Sequence, residues 1–380
     1  MRIADGGKVY MGNDGIFVKI SGRLKERIGG YKNRLDGFLQ QDRREKVRTL
    51  GSLLLDKAML ISLIIAIIVI AILRPRFVSA ASVVNVISLT AARLPIALGI
   101  GGAIVLTGTD ISAGRAVGLT ACIAASLLQS SSYGAKMFSG IGALPIFVVL
   151  PAVIAVGALI GLINGFFVAK FKLHPFIVTL STQLIVFGAV LLYLQIGNNG
   201  GQTLSGLDAS YLNFVIGPLF RIAGIAVPRY VLYALIITAL VWVIWNKTVF
   251  GRNMFAVGSN EEAARVSGIN VFMTVILVFM LAGALYGVTG FIEGARIGSA
   301  ASYTGLNYES DAIAACVIGG VSFVGGTGKI SGIVAGVLLL QIIFVGLTFL
   351  SVDQNMLYII KGLIILLACA LDMRKYIKKR

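Results

Sequence analysis

The chain has 380 residues, 57% of them hydrophobic and only 13% charged, with a formal net charge of +17. A composition this apolar excludes an ordinary soluble domain. The charge does not point to nucleic acid, because 13 of the 33 Lys and Arg lie in the first 57 residues and five in the last seven; they flank apolar runs instead of forming one basic face.

Residues 1–56 form a polar, basic N-terminal extension with no cleavable signal pattern, so the first span is expected to serve as its own insertion signal. From there to residue 373 the sequence predicts an all-α integral membrane protein, a polytopic helical bundle of about ten transmembrane helices. The spans are expected near 57–73, 87–106, 115–129, 143–169, 175–195, 229–245, 271–292, 308–323, 329–350 and 356–372. Most approach the ~20 residues that cross a hydrocarbon core, and none alternates as barrel strands do. Two segments carry marks of a broken or re-entrant helix: 87–106 with Arg93 and Pro95, and 308–323 with Glu309 and Asp311. An even number of spans returns the C-terminus to the side of the N-terminus. The basic tail at 374–380 and the basic extension then both face the cytoplasm, giving an N-in/C-in bundle.

Glycine is abundant, 46 residues in all. Gly157, Gly161 and Gly165, and likewise Gly283, Gly287 and Gly290, recur at helical spacing, the pattern of faces that let membrane helices approach closely. An echo is also visible. Ile100-Gly101-Gly102, Gly108-Thr109, Gly114 and Gly118 return 218 residues later as Ile318-Gly319-Gly320, Gly326-Thr327, Gly332 and Gly336. Either a duplicated unit or the glycine-rich composition accounts for it.

Between two apolar spans, residues 246–270 form a polar stretch on the expected cytoplasmic side. Ser259 with Glu262 reads as a capping box and Gly268 as a C-terminal stop, describing a helix of about two turns, too short to cross a bilayer. Its small centre, Ala263-Ala264, would let a partner surface come close to the backbone. A solvated surface helix is the plainer alternative.

Chemistry is not expected in this chain. Gly325-Gly326-Thr327-Gly328-Lys329 imitates the end of a phosphate loop. Phe323 stands at the first glycine position and Ile330 at the magnesium-binding hydroxyl position, so the stretch reads as a tight turn. His174 is the only histidine, and Cys122, Cys316 and Cys369 sit singly in apolar segments, so no metal site and no catalytic residue is expected.

Intramembrane polar groups are costly unless paired or facing water, which makes Asp110, Ser112, Asn164, Glu309 and Asp311 candidates for the solute pathway. Asp110 can bind a solute hydroxyl, cap the third span through Ser112, or pair with Arg115. Asn164 can serve a solute or join two helices. Glu309 and Asp311 lie on the side of Arg296, and Lys361 can meet one of them.

Glu262-Ala263-Ala264 followed by Gly268 resembles the loop by which ABC importer permeases dock on their ATPase subunits. The likeness extends from about Met59 to the C-terminus. It is carried by Pro175–Leu180, the run GRNMFAVGSNEEAARVSGINV from Gly251 to Val271, and YESDAIAACVIGGVSFVGGTG from Tyr308 to Gly328. The whole resembles the sugar-permease branch of bacterial ABC importers. TGTDISAGR at Thr107–Arg115 is closer to the galactose/methylgalactoside type than to the ribose type. Ser259 and Ser310 depart from the family pattern, and the first 50 or so residues have no counterpart in it.

The resemblance implies an ATP-driven, binding-protein-dependent permease of the bacterial inner membrane. Gly251, Arg252, Glu262, Ala263, Ala264 and Gly268 would couple it to an ATPase with two fused nucleotide-binding halves. It also implies a periplasmic sugar-binding protein and a homodimeric or paralogous heterodimeric pore. ATP and Mg are then bound by the ATPase, and no cofactor by this chain. Galactose, methylgalactoside or glucose is the expected solute. The alternatives are ribose, another sugar or a nucleoside, or a secondary transporter driven by an ion gradient, for which mid-span acids and histidines are few.

Overall fold

A computed structural model describes residues 58–377. The basic extension at 1–56 lies outside the described residues, as does the end of the 374–380 tail.

The helices of the bundle are α1 (Ala58–Leu73), α2 (Ala80–Val105), α3 (Ala113–Leu127), α4 (Ile146–Phe171) and α5 (Pro175–Leu194). After a short helix α6 (Ala209–Ile216) and a hairpin of β1 (Pro218–Ile222) and β2 (Ile225–Pro228) comes α7 (Tyr230–Lys247). Two short helices, α8 (Val249–Ser259) and α9 (Glu261–Val266), lead into α10 (Val271–Ile297), α11 (Tyr308–Ile318), α12 (Ile330–Phe349) and α13 (Gln354–Ile377). Six of these, α2, α4, α5, α7, α10 and α12, are long and apolar enough to cross a membrane, and α3 and part of α13 are shorter apolar helices.

The expectation of an all-helical chain needs one correction, because β1 and β2 pair antiparallel, Ile222 opposite Ile225, across the turn at Ala223-Gly224. The expectation of a break in the second span is also overturned. Ser79 caps α2 by accepting from the Ser82 N–H, and the helix runs on through Arg93 and Pro95 to Val105. Pro95 removes one donor and is tolerated because the surrounding helices bury this stretch.

Burial sorts the bundle into an inner and an outer set. In α2 67% of the apolar window is covered by protein, against 28% in α4, α5 and α7, whose outward faces present Phe147, Leu184, Ile185, Leu192 and Leu235. Those faces suit lipid. At the centre α10 packs against α4, α3 and α2. The glycine faces read from the sequence meet there: a Cβ on Gly157 would strike the Gly283 carbonyl, one on Gly161 the Phe279 carbonyl, and one on Gly287 the Val153 carbonyl. Close backbone approach substitutes for the hydrophobic force that lipid does not supply.

The two stretches of the 218-residue echo both adopt a helix–break–helix course. The first runs from α2 through 106–112 into α3, and the second from α11 through 319–329 into α12. Gly114 and Gly118 abut the backbone at Gly305 and Thr304, and Gly332 and Gly336 abut it at Gly319 and Ala315.

Candidate functional site

The polar stretch between α7 and α10 is a pair of helices, where the sequence suggests one. Thr248 caps α8 by accepting from the Gly251 N–H, so Gly251 and Arg252 lie in its first turn. Ser259 ends this helix, donating its hydroxyl to the Phe255 carbonyl, and does not cap the next. That role belongs to Asn260, whose Oδ1 accepts from the Ala263 N–H at 2.9 Å, and the capping box is corrected accordingly. The sequence offered two adjacent cap-forming residues, and the extended backbone of Asn260 decides between them.

The stop at Gly268 is as read. Its φ of +81° is left-handed, its N–H donates to the Arg265 carbonyl and that of Ile269 to the Ala264 carbonyl. This paired pattern closes helices and favours glycine.

On α9 Ala264 is buried, while Ala263, Glu261 and Glu262 face outward and Val266 is 88% exposed. Arg265 pairs with Glu261 at 2.6 Å and reaches Glu262 at 3.6 Å. Exposed pairs of this kind contribute little stability, but they hold a defined charged face around an apolar residue.

Behind α8 the contacts run straight to both breaks. A Cβ on Gly258 would strike the Val105 carbonyl at the end of α2, and that carbonyl accepts from the Gly326 N–H at 2.9 Å. Gly325 and Gly326, with φ of +88° and +66°, make the tight turn read from the failed phosphate loop. A cavity of about 460 Å³ extends from this junction to His174 and Pro175 at the start of α5. His174 caps that helix, its Nδ1 accepting from the Phe176 N–H.

From Val105 the chain enters the first break, where three of the five pathway candidates meet. Asp110 Oδ1 accepts from the Ser112 N–H at 3.0 Å and from the Ser112 hydroxyl at 2.6 Å. Asn164 Nδ2 donates to Ser112 Oγ, and Asn164 Oδ1 accepts from the Thr182 hydroxyl at 2.6 Å. The network joins the break to α4 and α5, and Asp110, Ser112 and Asn164 are fully buried. Asp110 does not pair with Arg115, which donates to the Ser302 carbonyl and lies over the Phe187 ring. Ser112 occupies the cap position of α3 without a side-chain cap bond, its hydroxyl being spent on Asp110. Asp110 Oδ2 and the Tyr286 hydroxyl are both buried and meet no partner in hydrogen-bond geometry.

Glu309 and Asp311 stand apart from this network, at the start of α11. Asp311 pairs with Lys361 of α13 at 3.0 Å, as the sequence allowed. Glu309 packs with its carboxylate against Gly114 of α3. Arg296 pairs with Glu293 at 2.7 Å, not with either of them. Glu293 escaped the sequence reading, although it is fully buried, accepts from the Tyr308 hydroxyl, and has Oε1 with no partner. A lone acid at the end of an apolar run, three residues before an arginine, was the available signal. The Arg93 guanidinium stacks on the Tyr308 ring, 3.1 Å from its centroid, and so ties α2 to α11.

Outside the bundle's long helices, burial pushes the Tyr211 hydroxyl of α6 well above its ordinary pKa. It stays neutral and donates to the Phe291 carbonyl of α10.

Known proteins match most of this chain. The family described as branched-chain amino acid transport system / permease component matches residues 77–369. The galactose/methyl galactoside import permease protein MglC of Escherichia coli strain K12 is 46% identical over 306 residues, 80% of this chain and 90% of its own length. Its Haemophilus influenzae counterpart is 44% identical over the same shares. The ribose import permease protein RbsC of Haemophilus influenzae is 35% identical over 85% of this chain and 94% of its own. The comparison with solved structures returned no match. The order of identity agrees with the galactose-type resemblance of Thr107–Arg115, and the family match spans α2 to α13: the chain belongs to the branched-chain amino acid transport system / permease component family.

Proposed function

We propose that this chain is the transmembrane permease subunit of an ATP-driven, binding-protein-dependent sugar importer, with galactose, methyl galactoside or glucose as its solute. The observation that carries the reading is the α8–α9 unit. Its outer face is a charged, capped helix around Val266, and its inner face rests on the Val105 carbonyl, where the first break begins. A push on Glu262, Ala263 and Ala264 would be passed through Gly258 to the end of α2 and to the 319–329 turn. Gly251 and Arg252 belong to the same coupling surface, and Gly268 fixes how α9 leaves it.

The division of labour follows. An ATPase subunit with two fused nucleotide-binding halves docks on α9 and binds ATP and Mg; this chain holds no cofactor. A periplasmic sugar-binding protein delivers solute to the opposite side, and two copies, or this chain with a paralogue, form the pore. The permease domain spans 57–373 as ten passes, N-in/C-in, in the bacterial inner membrane. Alternating access then needs only a weak polar-lined path, with Asp110, Ser112, Asn164, Glu309 and Asp311 as pathway residues.

The test is uptake of labelled galactose into vesicles holding this chain, the ATPase and the binding protein. Uptake that needs ATP and all three components supports the reading. ATP-dependent uptake of ribose or a nucleoside, and not of galactose, replaces the solute alone. Uptake by this chain alone on a proton or sodium gradient overturns the importer reading.

A further inference from the structure

We propose that the groove between α2, α12 and α13 is a binding site for one monosaccharide on the solute path. The inference rests on the sugar-importer reading and adds Asn85, Phe344, Thr348 and Lys361 to it. The groove encloses about 240 Å³ and is lined by these four residues among others. In that measure one water needs about 10–15 Å³, so the groove has room for a monosaccharide.

Its floor is charged. Lys361 Nζ lies 3.0 Å from Asp311, and their side chains are 24% and 11% exposed. A charged side chain is costly against hydrocarbon, so a groove lined by this lysine favours water or a polar solute over lipid tails. Behind it Asp311 also lines a void of about 10 Å³ with Arg93, Tyr308 and Gln341, large enough for about one water.

The lining has the chemistry of sugar recognition. Lys361 Nζ stands over the Phe344 ring, 4.3 Å from its centroid, so the half-buried ring offers the apolar surface that the ammonium leaves uncovered to the C–H groups of a pyranose. Asn85 is exposed and carries both donors and an acceptor. The Thr348 hydroxyl donates to the Phe344 carbonyl at 2.9 Å, which keeps its lone pairs free to accept. Lys361 has protons beyond the one given to Asp311. A few placed polar groups beside an aromatic face is how small polar ligands are oriented.

The site is also mechanically connected. Asp311 belongs to α11, whose far end opens into the 319–329 turn that contacts α8. Solute that rearranges the Lys361–Asp311 pair therefore acts on the element that α8 and α9 move.

The test uses the full chain reconstituted with its ATPase and binding protein and labelled galactose as the probe. Phe344→Leu and Asn85→Ala are expected to lower ATP-driven uptake by about fivefold or more, and Phe344→Tyr to restore it. A second measurement reads hydration directly. Thr348→Cys, in a Cys369→Ser background, is expected to react with a membrane-impermeant charged thiol reagent added from outside. Wild-type uptake with unaffected Phe344→Leu and Asn85→Ala variants overturns the groove alone. So does a Thr348→Cys that reacts only with a lipophilic maleimide, or with neither reagent. Wild-type vesicles that take up no monosaccharide with ATP overturn the importer reading and this inference together.

Discussion

Asn164 spends both ends of its amide on protein, donating to Ser112 and accepting from Thr182, and so ties α4 and α5 to the break after α2. The cost of removing it is set by the partners it leaves behind. Hydrogen bonds between membrane helices are worth about 0.6 kcal/mol on average and up to ~1.7, and two are lost here. Asn164→Leu is expected to destabilise the chain by about 1–2 kcal/mol, measured as a lower unfolding midpoint in detergent. Because Thr182 has then already lost its acceptor, Thr182→Val should cost clearly less in that background than in the wild-type chain. Full additivity of the two substitutions would show that they do not act through one bond. The residue itself was legible in the sequence, as a polar group in an apolar run. Its partners were not, because Ser112 and Thr182 lie 52 and 18 positions away and only the packing of α3, α4 and α5 on one another brings them together.

The helices of the bundle were legible because apolar runs and their polar breaks leave little freedom, and α4, α5, α10 and α12 begin within about three residues of expectation. What failed were places where two local solutions compete. The hairpin at Pro218–Pro228 escaped because its mixed apolar residues belong to no long run. At the coupling unit, Ser259 and Asn260 are both good caps, and backbone geometry gives the role to Asn260. That difference can be measured. Asn260→Ala should cost α9 about 1 kcal/mol, seen as faster amide exchange over Glu261–Val266 and reduced ATP-driven uptake. Ser259→Ala should leave that exchange as it is, since its hydroxyl serves α8. The opposite ranking would restore Ser259 as the cap. Because α9 is exposed and only six residues long, neither change should alter the unfolding midpoint of the bundle.

At the scale of the molecule, the proposed N-in/C-in orientation rests on charge as well as on helix count. With α9 proposed to face the cytoplasm, Lys170, Lys172, Lys247, Arg252, Arg265 and Lys329 would share that side with the basic C-terminal tail, leaving Arg74, Arg76, Lys136, Arg221, Arg229 and Arg296 outside. The apposition of the two breaks agrees with this placement. Val105, Gly258 and Gly326 meet at one end of the bundle, whereas the hairpin that carries Arg221 lies a full helix away, beyond α7. The two ends must therefore open to opposite compartments if α7 spans. Cysteine scanning checks this in sealed inside-out and right-side-out vesicles. Ser267→Cys beside α9 should react with an impermeant thiol reagent only in inside-out vesicles, and Arg221→Cys in the hairpin only in right-side-out ones. Labelling of both from one side would remove α7 as a span, and exchanged sides would put α9 beyond the reach of a cytoplasmic ATPase.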